Sequence, residues 1–133
     1  MSGLIADTNI FLRLILNDIP KQADEVERLL KKAKKGNVKI LVPQIIIFEI
    51  EYALSKYYKF PKIEIIDKLE AILTAPYFFI QDGNIFRMSL KGYREKNLSL
   101  VDCFLLAKSK IEEVSIFTFD KDLSKLNLNE SDT

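Results

Sequence analysis

The chain has 133 residues, of which 48% are hydrophobic and 29% are charged, with four Gly and four Pro. This composition excludes collagen-like, low-complexity and disordered proteins, and it predicts one globular domain that buries its own core. Since 20 Lys and Arg residues balance 19 Asp and Glu residues, no global positive field attracts nucleic acid, and such binding would depend on local patches.

The sequence contains no histidine and a single cysteine, Cys103. It therefore excludes Ser-His-Asp and Cys-His catalytic sites, His-zinc sites and an internal disulfide. Any chemistry has to use carboxylates, hydroxyls, lysines or a hard metal ion. No apolar run is long enough to span a membrane, and the N-terminus lacks the features of a signal peptide, so we expect a cytoplasmic protein.

Strand and helix patterns alternate along the chain. A short apolar run ending at Asp7 predicts a first strand, and apolar residues from Ile10 to Ile15 recur at helical spacing. Pro20 suits the first turn of a second helix, which Gly36 ends. The remaining predicted elements are a strand at 38–42, helices opened by Pro43 and Pro61, a strand at 77–80, helices at about 84–96 and 99–113, a strand at 115–119, and a short helical turn after Asp120.

This alternation predicts an α/β fold with a parallel sheet and helices on both faces. We assign residues 1–126 to a single domain and residues 127–133 to a polar C-terminal tail that frays.

Several acids occupy positions where a ligand site is expected. In open parallel sheets, ligands bind outside the carboxyl ends of the strands, and Asp7 and Asp120 follow the first and last predicted strands. Asp102 falls on a largely apolar helix face, where an unpaired carboxylate is costly. Glu49 and Glu51 lie in an apolar segment about 200° apart on a helix, and periodicity does not decide which one faces a site.

Each acid also has a local explanation. Asp7, Thr8 or Asn9 can cap the following helix, Asp120 can stabilise a turn, and residues 99–102 match the Ser-x-x-Asp capping box. However, a pocket built from several of these acids, without His or Cys ligands, would suit hard cations such as Mg²⁺ or Mn²⁺, which prefer oxygen ligands.

Four segments match one family when they are taken together. They are LIADTNI at 4–10, VPQIIIFE at 42–49, LSLVDC at 98–103 and FTFDKDL at 117–123. In order and content they resemble the PIN domain, and most closely the VapC-type ribonuclease toxins of toxin–antitoxin pairs. The resemblance extends from Leu4 to about Leu126. It selects Glu49 over Glu51, because the family's acid falls six residues after the Pro.

The resemblance implies a three-layer α/β/α sandwich with a central parallel sheet and metal-dependent cleavage of RNA. The acids that it implies as catalytic residues and as ligands of Mg²⁺ or Mn²⁺ are Asp7, Glu49, Asp102 and Asp120. It also implies a cognate antitoxin that blocks the pocket, and usually a homodimer. Whether Asp122 assists these acids or is itself the fourth ligand stays open. Cys103 occupies a position where the family is expected to have a small residue.

Other residues are candidates for supporting roles. The hydroxyl and amide groups expected to orient the carboxylates belong to Thr8, Asn9 and Thr118, although capping and strand roles explain them equally well. The cations expected to contact RNA phosphates are Arg13, Lys91, Arg94 and Lys96. An apolar excess around Tyr52, Tyr57 and Tyr58 suggests a dimer or antitoxin surface.

Three alternatives stay open. A receiver-like phospho-acceptor fits poorly, because the acids and lysines do not follow the strands that such a protein needs. A PIN-like module could bind RNA or protein without cutting, although retention of all four acids favours an enzyme. An RNA-processing nuclease without an antitoxin would share the same residues.

Overall fold

The structure is a computed structural model that describes residues 2–131, with side chains described to residue 126. In chain order the elements are β1 (Ser2–Ile5), α1 (Thr8–Leu16), α2 (Pro20–Lys34), β2 (Val38–Val42), α3 (Gln44–Lys56), α4 (Lys62–Thr74), β3 (Phe78–Ile80), α5 (Gly83–Glu95), α6 (Leu100–Glu112) and α7 (Lys121–Ser131). They form two compact units, the first extending to Gly83 and the second beginning at Asn84.

The first unit contains a parallel sheet in the order β1-β2-β3. Ile5 pairs with Leu41, and Leu41 pairs with Phe79. Because all three strands run in the same direction, their carboxyl ends lie at one edge of the sheet. The predicted parallel α/β fold is therefore confirmed.

The core of the first unit follows the periodicity of its elements. Along β2 the side chains of Ile40 and Val42 are buried while those of Lys39 and Leu41 are exposed, because successive residues of a strand point to opposite faces. The helices bury residues at spacings of three and four, among them Ile46, Ile47, Ile50 and Leu54 on α3 and Ile65, Ile66, Leu69, Ile72 and Leu73 on α4.

The helices begin at or directly after the prolines that were predicted to open them. Pro20 is the first residue of α2, and Pro43 and Pro61 directly precede α3 and α4. Proline suits these positions because its missing N–H would have no partner inside the helix. Helix α1 ends at Leu16, and the next residue, Asn17, adopts the left-handed conformation that terminates many helices.

The second unit is helical in its described part. Phe86 on α5 and Phe104 on α6 are buried, and their ring centroids lie 4.9 Å apart. The buried hydroxyl of Ser89 donates to the carbonyl of Ile85 at 2.6 Å, which satisfies a polar group that would otherwise be costly to bury. No helix in residues 2–131 is long and apolar enough to cross a membrane.

The prediction of a last strand at 115–119 is wrong for this structure. Residues 114–120 belong to no strand, and Phe117 and Phe119 are 88% and 91% exposed. Their alternating apolar pattern is typical of a strand, but a strand also needs a neighbour's backbone hydrogen bonds. Here the two rings contact each other edge to face at 5.4 Å.

The chain after Asp120 also differs from the prediction. In place of a short turn and a tail from Asn127, helix α7 continues to Ser131. Its length adds backbone hydrogen bonds that a single turn would lack. The last two residues of the predicted tail, 132 and 133, lie outside the described residues.

A pair of phenylalanine variants tests the burial of Phe86 and the exposure of Phe117. Phe86→Ala removes a fully buried ring and should lower the free energy of unfolding by about 3–5 kcal/mol. Phe117→Ala removes an exposed ring and should change it by less than about 0.5 kcal/mol. Urea unfolding measures both, and a comparable loss for Phe117→Ala would contradict its exposed position.

Candidate active site

Asp7 lies at the carboxyl end of β1 and begins α1. Ala6 continues the sheet by donating its N–H to the carbonyl of Leu41 at 3.0 Å. The next residue, Asp7, has an extended backbone, and its Oδ1 accepts the N–H of Ile10 at 3.4 Å. The predicted capping role is therefore observed. The same geometry holds the carboxylate at the sheet edge where ligands of parallel sheets bind.

Glu49 is held beside this capping residue by a side-chain hydrogen bond. Thr8 Oγ1 donates to Glu49 Oε2 at 2.7 Å, joining the start of α1 to α3 across 41 positions of sequence. Glu51 projects from α3 about 200° away from Glu49 and is half-buried. The structure thus brings Glu49 to the loop after β1, in the first unit, and directs Glu51 elsewhere.

A polar network that sequence reasoning missed fixes the start of α3. Gln44 donates its backbone N–H to Gln81 Oε1 at 3.0 Å and its side-chain Nε2 to Asp82 Oδ2 at 2.6 Å. Asp82 has a positive φ of 58°, a conformation that Asp adopts more readily than most residues. The sequence contains one signal for this network. Gln44 directly follows Pro43, and because the proline side chain cannot cap the helix, another polar group has to do so.

Asp102 lies in the first turn of α6, in the second unit. Its backbone N–H donates to Ser99 Oγ at 3.1 Å, so Ser99 is the cap that the Ser-x-x-Asp pattern predicts. The sequence predicted a buried helix face around Asp102. In the structure the Asp102 side chain is only half-buried, and neighbouring Leu105 on the same face is 38% exposed. No hydrogen-bond or ion-pair partner of its carboxylate lies among the described residues of this unit.

Asp120 begins α7 in the same way as Asp7 begins α1. Its Oδ1 accepts the N–H of Leu123 at 3.0 Å, and its own N–H donates to Thr118 Oγ1 at 3.0 Å. Thr118 thus orients the backbone of Asp120, while its carboxylate is held by the helix that follows. Asp122 is exposed in the first turn of α7, and Asn9 is exposed in the first turn of α1.

Two candidate acids lie in each unit, and the carboxylates of Asp7, Glu49 and Asp120 each accept a hydrogen bond. Among the described residues, no three His, Cys, Asp or Glu side chains come close enough to hold a metal ion. The donor chemistry nevertheless suits a hard cation, since the acids offer only carboxylate oxygens. The metal set of Asp7, Glu49, Asp102 and Asp120 stays a prediction.

The predicted RNA-contacting cations have different environments. Arg13 is only 12% exposed, and its Nε lies 3.5 Å from Asp18 Oδ1, so this side chain is directed to an ion pair. Lys91 and Lys96 line a cavity in the second unit, and Arg94 is exposed on α5.

Comparisons with known proteins agree with the resemblance seen in the sequence. The PIN domain family matches residues 4–128. A VapC ribonuclease of Aquifex aeolicus (strain VF5) is 26% identical over 116 residues, which is 85% of this chain and 85% of that protein. No solved structure matches the chain.

The cap of α6 can be tested separately from any catalytic role. Ser99→Ala removes the acceptor for the Asp102 N–H and should lower the free energy of unfolding by about 1 kcal/mol. Ser99→Asp keeps an acceptor and should retain most of that stability. Chemical unfolding in EDTA measures both, and equal stability of wild type and Ser99→Ala would refute the cap.

Proposed function

This chain belongs to the PIN domain family, and from that premise we propose that it is a metal-dependent endoribonuclease, the toxin of a VapC-type toxin–antitoxin pair. The similarity to a VapC ribonuclease over most of both chains supports this choice. The observation that carries it is the hydrogen bond from Thr8 to Glu49, which joins the acid-bearing segments after β1 and on α3.

The proposed catalytic residues are four acids that act together. Asp7 and Asp102 would bind Mg²⁺ or Mn²⁺ directly, and Glu49 and Asp120 would complete the set directly or through water. When bound there, a divalent ion would lower the pKa of water and would offset negative charge on the phosphodiester. If the 3′-oxygen of the RNA leaves, the product carries a 5′-phosphate.

The local roles of these acids are compatible with ligand roles. Asp7 uses Oδ1 to cap α1, Asp120 uses Oδ1 to cap α7, and Glu49 uses Oε2 to accept from Thr8. Each bond engages one carboxylate oxygen, so the second oxygen is not used by that bond. The bonds also restrict rotation of each side chain, which reduces the entropy lost when it binds a ligand.

The proposed partners follow from charge and exposure. RNA phosphates would contact Lys91, Arg94, Lys96 and also Arg13, whose Nε lies 3.5 Å from Asp18 Oδ1. We propose a homodimer and a cognate antitoxin that blocks the acids, acting in the cytoplasm. Exposed apolar side chains on or next to α3 and α4 are available for one of these partners, among them Ile45, Tyr52, Tyr57 and Ile63.

The nuclease proposal predicts that RNA cleavage requires Glu49 and does not require Glu51. With Mn²⁺ or Mg²⁺, wild type should cleave members of a panel of transfer RNA, ribosomal RNA and a single-stranded oligomer, and EDTA should abolish cleavage. Glu49→Gln should lower kcat about 100-fold, since it removes a carboxylate charge from the proposed metal set. The matched control Glu51→Gln, two residues along α3, should retain activity.

Two outcomes would contradict the proposal. Equal cleavage by wild type and Glu49→Gln would indicate a contaminant or a wrong site. RNA binding without cleavage under any metal condition would instead favour the non-catalytic PIN-like module.

Convergence of the four acids predicts a change in stability without any substrate. Asp102→Asn removes one negative charge from a set that repels itself when no metal is bound, so its Tm in EDTA should exceed that of wild type. Added Mn²⁺ should raise the Tm of wild type more than that of the variant. Calorimetry in EDTA and in Mn²⁺ measures both shifts, and a lower Tm for Asp102→Asn in EDTA would count against convergence.

A further inference from the structure

The second unit contains a charged groove between α5 and α6. Its cavity volume is about 240 Å³. Helix α5 and the residue directly after it contribute Met88, Lys91, Gly92, Glu95 and Lys96, and α6 contributes Cys103, Leu106, Ala107 and Lys110. This spacing means that the groove follows one face of each helix. We refer to it as the α5–α6 groove.

The charge on the α5–α6 groove is strongly one-sided in a chain that is nearly neutral overall. Four of its nine lining residues are charged: Lys91, Lys96 and Lys110 are cationic, and Glu95 is the acid among them. All four are exposed, while Cys103 and Leu106 form a buried floor. The groove therefore presents a net positive charge to solvent, and this charge attracts an anion.

We propose that the α5–α6 groove binds the sugar–phosphate backbone of single-stranded RNA, an inference that rests on the proposed ribonuclease function. The lysines lie on both sides of the groove, since Lys91 and Lys96 belong to the α5 side and Lys110 belongs to α6. A polyanion with charges repeated along its length can contact several of these lysines, whereas a single phosphate cannot use them all. The cavity is also smaller than the roughly 300–1,000 Å³ of sites that enclose a whole small molecule.

The lining favours RNA over a protein partner. The central parts of protein interfaces are depleted in lysine and enriched in aromatic residues, whereas this groove has three lysines and no aromatic side chain. Phosphate contacts of lysine need no fixed geometry, because the ammonium acts as a compact charge on a flexible stem. Asp102, one of the proposed catalytic acids, directly precedes the lining residue Cys103 in the sequence of α6.

The salt dependence of RNA binding tests the groove. A short, fluorescently labelled single-stranded RNA of mixed sequence is titrated with full-length protein in EDTA, which prevents cleavage, at several KCl concentrations. The groove variant combines Lys91→Gln, Lys96→Gln and Lys110→Gln. The matched control combines Lys31→Gln, Lys32→Gln and Lys35→Gln, which remove the same charge from the exposed end of α2.

The expected result is a smaller salt slope for the groove variant alone. Each lost phosphate contact should reduce the slope of log affinity against log salt by about 0.7, so the three substitutions together should reduce it by about 2. The control should retain the wild-type slope. In cleavage assays with Mn²⁺, the groove variant should raise KM and leave kcat near the wild-type value, a split that a merely misfolded protein would not produce.

Three outcomes distinguish failure of the groove inference from failure of the nuclease proposal. If wild type cleaves RNA and the groove variant keeps the wild-type salt slope, the RNA-binding role of the groove is wrong and the nuclease proposal is unaffected. If the salt slopes change as expected but wild type cleaves no RNA, the RNA-binding role of the groove is supported and the nuclease proposal is wrong. If the control variant reduces the salt slope as much as the groove variant does, the effect reflects overall charge and the inference is wrong.

Discussion

Parallel pairing of β1, β2 and β3 is the constraint on which the first unit depends. Because Ile5, Leu41 and Phe79 pair in register, the three strands end at the same edge of the sheet. The chain must then leave that edge through polar residues, and Asp7 and Gln81 lie at two of these exits. The first helix and α3 both begin there, which allows Thr8 to reach Glu49 across 41 positions of sequence.

The start of α3 shows how this edge is held together. Pro43 cannot cap a helix through its side chain, and Gln44 instead bonds with Gln81 and Asp82 at the end of β3. These two hydrogen bonds fix α3 against the sheet five residues before Glu49. The position of Glu49 therefore depends on β3 as well as on its own bond with Thr8, so the candidate site and the fold share the same polar contacts.

The acids in question are both structural and candidate catalytic groups. A carboxylate that caps a helix is already held in one orientation, and its capping bond uses only one of its two oxygens. Local capping and ligand binding are thus compatible rather than competing explanations for Asp7 and Asp120. The combination also explains why single acids in a sequence are weak evidence for a site, since each one has a sufficient structural role by itself.

Sequence patterns alone determined most of the elements and the family. Apolar periodicity and the prolines placed six helices and three strands near their observed positions, because these signals act within a few residues. They failed at 115–119, where an apolar pattern typical of a strand has no pairing partner and exposes Phe117 and Phe119. Pairing is a property of two segments, so no single segment can specify it.

The sequence also identified the candidate acids, but only the tertiary structure decided their surroundings. Periodicity left Glu49 and Glu51 equal, and the resemblance favoured Glu49; the fold then placed the Thr8 hydroxyl against Glu49. Likewise, Lys110 lies far along the chain from Lys91 and was not a candidate until the packing of α5 on α6 brought both to one groove. Local chemistry follows from residue types and short spacings, whereas contacts between distant residues depend on how the elements pack.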